Sequence, residues 1–321
     1  MAPTQRRRAV SLPRVHDVEV KRRMGEEDIA AVAALVRAAQ AADGHAPLGE
    51  HKWIDLVQGG RSGFAGFVAR KPGSATLAGY AQLSRGHGTW AVEYVVHPGA
   101  RSTRERVAED LLRSALGEIA AEGGGHVHLW IPKPDAADEA VARAVGLQRG
   151  RAIHQMRRPL PLGPDLATAR RAALRPFVVG QDEQEWLALN NRAFRSHPEQ
   201  GAWDRATLVE REGQGWFDPS GFLLHEESGR IDAFCWTKVH EEEPGLGEIY
   251  VIGVDPDTQG RGLGRAVLLA GLDYLAGRGL SAAMLYVDAS NAAAVRLYTS
   301  TGFGVDHLDQ AYVGDVPAAR P

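Results

Sequence analysis

Between Glu248 and Gly264 the chain reads Glu-Ile-Tyr-Val-Ile-Gly-Val-Asp-Pro-Asp-Thr-Gln-Gly-Arg-Gly-Leu-Gly, a stretch whose residue types suit phosphate binding. Glycines set between a strand end and a helix start let backbone N–H groups turn toward an anion, and the positive end of the helix dipole reinforces them. Residues 248–254 are rich in Val, Ile and Tyr, as a buried strand is, and Asp255-Pro256 stops it. Residues 265–275 carry Val267, Leu268, Leu272 and Leu275 at helical spacing. Two other phosphate loops are excluded. A Walker loop requires Lys-Ser or Lys-Thr after its last glycine, where this chain has Arg265-Ala266. The dinucleotide fingerprint spaces its glycines G-x-G-x-x-G, whereas Gly260, Gly262 and Gly264 alternate. A pyrophosphate fits the loop, although most glycine-rich strand-to-helix turns are only turns.

Downstream come Leu285-Tyr286-Val287-Asp288, then Asn291, Arg296-Leu297-Tyr298 and Gly302-Phe303. Together with the Gln-x-x-Gly-x-Gly loop, this set resembles the GNAT superfamily of acyl-CoA-dependent N-acetyltransferases. The resemblance implies two parallel strands, 248–254 and 283–288, that splay to admit the pantetheine arm, which pairs with the backbone near Ile252, Gly253 and Val254 like an added strand. Acetyl-CoA would also lie on Gln259, Gly260, Arg261, Gly262, Leu263, Gly264 and Arg265, and on Asn291, Ala292, Ala293, Ala294, Val295 and Arg296. Gly253 in a branched strand fits a bulge, a close backbone approach or an ordinary kink. Asn291 also fits a helix cap.

Acyl transfer to an amine requires the amine to lose a proton, so Glu248, beside the expected thioester, suits a general base. Without the adjacent motif it would read as a surface glutamate at a strand end. Tyr298 suits protonation of the departing thiolate, a phenol of pKa about 10 against a thiol of about 8.5. Otherwise it is an aromatic packed on the sheet. Cys235 would be the nucleophile of a ping-pong route, but Ala233-Phe234-Cys235-Trp236 alternates like a strand with little to support a thiolate, and packing is the expectation.

More specific wording follows. Residues 247–256, Trp236-Thr237-Lys238-Val239-His240, Asn191-Arg192-Ala193-Phe194 and His197-Pro198-Glu199-Gln200-Gly201 resemble the mycothiol synthase family of tandem GNAT enzymes. The resemblance spans both halves and is densest over 190–312. It implies acetylation of the cysteinyl amine of desacetylmycothiol, a cysteine amide of glucosaminyl-inositol, in the last step of mycothiol biosynthesis. By motif match, Glu199, Lys238, Glu248 and Tyr286 contact this substrate, and Glu50, in Pro47-Leu48-Gly49-Glu50, reaches it from the first half. Without the surrounding motif, Glu199 and Lys238 read as a solvated pair. Two alternatives stay open: a GNAT enzyme for a protein amino terminus or another small amine, and a non-catalytic acyl-CoA-binding module, which would need neither Glu248 nor Tyr298.

The elements that must position these residues are written twice. Residues 18–158 run strand, helices, a group of strands, then alternating helix and strand; 159–173, opening Pro-Leu-Pro-Leu-Gly-Pro, has linker composition; the same order restarts over 174–321. The expected fold is α/β, two tandem GNAT-like domains, each a mixed, mostly antiparallel sheet with helices on both faces. Matching Val96-His97-Pro98 to Val254-Asp255-Pro256 puts glycine-free 101–106 opposite the loop, Trp90 opposite Glu248 and, from the far end, Ala142 opposite Tyr298. The first half is therefore expected to be non-catalytic, with cofactor contact at Tyr94, Val95 and Val96 in doubt. Residues 1–17, with Arg6-Arg7-Arg8, read as a flexible basic tail.

The formal net charge of −3 supplies no bulk field for nucleic acid, and no apolar stretch is long enough to span a bilayer. A single cysteine excludes an internal disulfide and a cysteine-based zinc site, and the twelve histidines show no HExxH spacing. The expectation is a cytoplasmic, monomeric enzyme without metal.

Overall fold

A computed structural model describes residues 17–60, 63–70, 76–86, 88–195 and 200–319. In chain order the first elements are β1 (Val18–Lys21), α1 (Glu26–Asp43), α2 (Glu50–Val57), β2 (Ala65–Arg70), β3 (Leu77–Arg85), β4 (Thr89–Val96), α3 (Arg104–Ala121), β5 (Gly125–Pro132), α4 (Ala136–Ala144) and β6 (Gln148–Pro159). There follow α5 (Pro164–Ala167), β7 (Arg175–Pro176), α6 (Glu183–Ala193), α7 (Arg205–Glu212), β8 (Phe222–Glu227), β9 (Arg230–Val239), β10 (Leu246–Val254), α8 (Leu263–Gly277), β11 (Ala282–Asp288), α9 (Ala292–Ser300) and β12 (Gly304–Val316). Two compact units result, one of Met1–Ala152 with Leu308–Pro321, the other Ile153–His307.

The first unit orders its strands β1-β2-β3-β4-β5-β12, antiparallel except for the β4–β5 pair. One face packs on α3 and α4 through residues such as Phe67, Leu83, Val107, Leu111 and Val141; the other packs on α1 through Val32, Leu35, Val68 and Tyr80. Three acids, Glu26, Glu27 and Asp28, open α1 where the helix dipole favours them.

In the second unit the order is β6-β11-β10-β9-β8-β7, with β10 and β11 the parallel pair. Helix α8 buries Val267, Leu268, Leu269, Leu272 and Leu275 against Cys235, Ile249 and Leu285. On the opposite face Trp186 of α6 meets Trp203, Phe222, Phe234 and Trp236 edge-on, with ring centroids 5.2–5.9 Å apart. Aromatic pairs at this spacing add to what burial alone supplies.

The expected GNAT-like architecture, with helices on both faces of each sheet, is present, and the strand pairing does not follow the expected division of the chain. Strand β12 was assigned to the second half, yet Asp309–Val316 pairs with β5 of the first unit; β6, at the end of the first half, pairs through Ile153–Pro159 with β11 of the second. The expected spacer is no free linker either, since Leu160, Leu162, Leu166, Ala169 and Leu174 pack on the second unit's core.

Candidate active site

In the β9–β10 hairpin Glu248 stands opposite Lys238 and Ile249 opposite Thr237, after which the register shifts and Val251 stands opposite Trp236. Tyr250 is the extra residue of a β-bulge, so the alternation resets there. Glu248, Tyr250 and Val251 consequently share the aromatic face, while Ile249, Ile252 and Val254 turn toward α8. Gly253 is not the bulge. It is a close approach, because a Cβ there would lie 2.6 Å from the Phe234 ring.

Glu248 is 6% exposed. A carboxylate so buried needs a partner, and Oε2 lies 2.8 Å from Nε2 of His240, whose Nδ1 lies 2.9 Å from Oε1 of Glu242. Burial acts against charge on the His240 ring, but the hydrogen bond and charge of Glu248, with Glu242, outweigh it and raise its pKa. Lys238 is buried alongside, its Nζ 4.7 Å from the Trp216 ring centroid and 5.7 Å from that of Tyr250, a cation–π arrangement. Tyr286 is half-exposed, and its hydroxyl accepts from Nε2 of Gln155 at 2.9 Å. Arg157 in turn donates from Nε to Oε1 of Gln155 at 2.9 Å and from Nη1 to Glu243 at 2.7 Å. The register places Glu248 with Met284, and thus with Tyr286, on one face.

The parallel ladder between β10 and β11 runs only from Leu246–Ala282 to Glu248–Met284. Beyond it β10 continues to Val254 and β11 to Asp288 without further pairing to each other. Glu248 thus stands where the strands part, and the opening beyond it is flanked by main-chain groups of Ile252, Gly253 and Val254. An extended arm with amide groups fits such an edge.

At the far end of β10 the loop turns through Gly260 and Gly262, with φ of +81° and +75°, left-handed values that favour glycine. Gly262 caps α8, so the N–H groups of Leu263, Gly264 and Arg265 open a helix and have no partner within it. The loop is tied down around this cradle: Gln259 donates to the Val254 carbonyl at 3.4 Å, and Arg265 to Oγ of Ser300 at 3.0 Å. Arg261 is exposed beside Glu227 at 3.4 Å. These features fit a pyrophosphate.

Asn291 is the N-cap of α9, its Oδ1 accepting from the Ala294 N–H at 3.1 Å. Ala292, Ala293 and Arg296 are exposed there, and Ala294 and Val295 rest on the core. Tyr298 is buried on the α8 side of the sheet, edge-on to Phe303 at 6.0 Å. Burial, then nearby Cys235, pushes its pKa well up, so its proton is firmly held. No hydrogen bond engages its hydroxyl among the described residues. Burial pushes the Cys235 thiol up to about 12, which removes the thiolate a ping-pong route would require.

Glu199 and the side chain of Glu50 lie outside the described residues. In the first unit the β4–β5 pairing ends at Val92–Leu129, and the Tyr94 hydroxyl beyond it donates to Oδ1 of Asp138 at 2.8 Å. Val95 is buried against α1 and Val96 packs on the α3 side. Arg104, at the start of α3, is held by Asp135 and Asp138. These ion pairs border the counterpart of the glycine cradle, where residues 101–106 and Ala137 line a cavity of about 350 Å³. No group of three or more His, Cys, Asp or Glu among the described residues is placed to hold a metal ion.

His240, Trp216, Tyr250 and Gln155 were not assigned roles from sequence. Period-two pairing across the hairpin would have found His240, two residues from Lys238 on the same face.

A family model described as the acetyltransferase (GNAT) family matches residues 184–303. A GCN5-related N-acetyltransferase from Sphaerobacter thermophilus superposes with a TM-score of 0.66 at 26% identity, over 97% of this chain and 98% of that one. A tandem GNAT protein from the clavulanic acid biosynthesis pathway gives 0.66 at 16% identity, over 95% of this chain and 100% of that one, a likeness of fold. A mycothiol acetyltransferase from Acidimicrobium ferrooxidans is 42% identical over 294 residues, 90% of this chain and 94% of that protein. With the splayed strands, the cradle and this identity along nearly its whole length, the chain belongs to the mycothiol acetyltransferase family of GNAT enzymes.

Proposed function

We propose that this acetyltransferase moves the acetyl group of acetyl-CoA to the free amine of a cysteine amide linked to glucosaminyl-inositol, desacetylmycothiol, in the cytoplasm. The observation that carries the reading is the buried Glu248 carboxylate at the parting of β10 and β11. Acetyl-CoA would lie with its pyrophosphate on the N–H groups around Gly262 and its arm along Ile252, Gly253 and Val254. It supplies the thioester. Glu248 takes a proton from the amine, the nitrogen bonds to the thioester carbonyl carbon, and the carbon–sulfur bond breaks as the Tyr298 phenol protonates sulfur. An amide beside the amine removes the carboxylate that would raise its pKa, so more of it is unprotonated near neutral pH.

Lys238, held on Trp216, has a donor suited to sugar oxygens, Tyr286 extends that polar surface, and Glu199 joins them by motif match alone. Binding energy from the polyol then orients the amine. Desacetylmycothiol, free cysteine and an alanine-starting peptide, each assayed with acetyl-CoA under identical conditions, test the assignment. We expect kcat/KM to favour the first by at least about a hundredfold. Equal efficiency, or a preference for the peptide, rules it out and promotes an enzyme of protein amino termini.

A further inference from the structure

A histidine with a carboxylate oxygen on each side has only one protonation state that satisfies both contacts. Carboxylates accept and do not donate when ionised, so Nε2 facing Glu248 at 2.8 Å and Nδ1 facing Glu242 at 2.9 Å must each carry a proton. The side chains run from interior to surface: Glu248 is 8% exposed, His240 10% and Glu242 59%. His240 also sits at the hairpin turn, its N–H donating to the Leu246 carbonyl at 3.1 Å, which fixes the backbone from which the ring extends.

We infer that His240, as an imidazolium clamped between Glu242 and Glu248, is a positioning residue for acetyl transfer: it occupies Oε2 of Glu248 and leaves Oε1 to take the amine proton. The inference rests on the reading of Glu248 as the base. Such a clamp does two things for a buried carboxylate. It restricts rotation about the last side-chain bond, and it sets a counter-charge beside a buried carboxylate. The His240 ring nitrogens face Glu242 and Glu248. His240 acts through Glu248.

The clamp is pH-dependent in a defined sense. The charged groups facing the ring are Glu248 from β10, Glu242 from the turn and Lys238 from β9. One step away, Arg157 of β6 is neutralised by Glu243. The two carboxylates raise the His240 pKa, so the clamp is complete at neutral pH and is lost as pH rises through that raised value, when one of its hydrogen bonds must go. For the full chain, kcat/KM should climb as the acceptor amine deprotonates and then fall as His240 does.

The test compares His240→Ala, His240→Gln and Glu248→Gln with the wild type across pH, using desacetylmycothiol and acetyl-CoA, with thermal melts to confirm folding. His240→Ala should lower kcat by about ten- to a hundredfold and leave KM for acetyl-CoA within about twofold. His240→Gln keeps one donor and no titratable proton, so it should recover much of the loss near neutral pH and lack the alkaline fall. Nitrogen-15 spectra of the labelled imidazole should show both ring nitrogens protonated at neutral pH, with the deprotonation midpoint lowered in Glu242→Gln. Wild-type kcat and pH profile in His240→Ala, with Glu248→Gln slow, overturns the clamp and leaves the base in place. Fast turnover in Glu248→Gln overturns the base assignment itself. A ring protonated on one nitrogen, or an alanine loss that glutamine does not relieve at any pH, reduces His240 to a structural residue and also overturns the inference.

Discussion

Glu248 and Tyr298 lie on opposite faces of the second sheet, the first among the aromatic residues of the α6 side and the second against α8. In the roles proposed for them, an acceptor and a donor on opposite faces do not pass a proton directly to each other, so both roles stay available at once. Replacing Glu248 by Gln preserves size and hydrogen bonding but removes the base, so turnover should drop by about two to three orders of magnitude, mainly in the chemical step. Rapid-quench measurement of a single turnover checks this; an unchanged rate of acetyl transfer across pH ends the assignment. Glu248, Lys238 and Tyr286 enter the proposed site from sequence because they fall within contiguous strings that carry the family resemblance, and the hairpin and sheet register put them on one face. His240 stood within such a string, yet its role depends on the turn that returns β10 alongside β9. Gln155 was beyond reach because it comes from a strand that precedes the linker composition and joins Tyr286 only through sheet pairing.

Helix α8 crosses β9 closely at Gly271, where an added Cβ would lie 2.4 Å from the Cys235 sulfur. Small residues on both elements permit that approach, and packing at this density transmits any added volume as strain. Gly271→Ala should therefore destabilise the fold by about 1–3 kcal/mol. Cys235→Ala, which removes the sulfur, should relieve much of that loss in the double variant, and it should remain active because no thiolate is used. Denaturant midpoints for the two single variants and the pair check the coupling; additive losses would mean that the helix moves away from the strand instead. Period alone made some elements readable: the helical spacing of Val267, Leu268, Leu272 and Leu275 over 265–275 corresponds to α8, Leu263–Gly277. Strand β7 is only the two residues Arg175–Pro176, since proline has no N–H to offer and the pair sits at the sheet edge. Helix α5 went unread inside the expected linker, although Pro164 at its first position is a known start signal. The bulge at Tyr250 was also invisible, because one unpaired residue leaves no mark in a run of apolar and aromatic residues.

Across the whole chain, the repeat was readable but its closure was not. Alternation marks which residues form a strand and says nothing of which open edge receives it. Because β12 completes the first unit and β6 the second, dividing the chain at 158/174 leaves each piece without one strand of its own and an exposed edge in its place. We expect residues 18–158 expressed alone to aggregate or to show weak amide protection in β5. The same segment supplemented with 304–319 as a fused strand should be soluble and protected. Cooperative folding of the short piece would show that β12 is dispensable. No helix among the described residues is long and apolar enough to cross a membrane. The same closure bears on how the protein emerges from the ribosome. Residues through Ala152 are made first, yet β5 receives its neighbour only when Asp309–Val316 has been translated, roughly 10–30 s later at ordinary elongation rates. Throughout that interval the nascent chain carries an unfinished sheet, so the first unit to be synthesised is the last to be sealed. Chaperone occupancy on translating ribosomes should be longest between those two points.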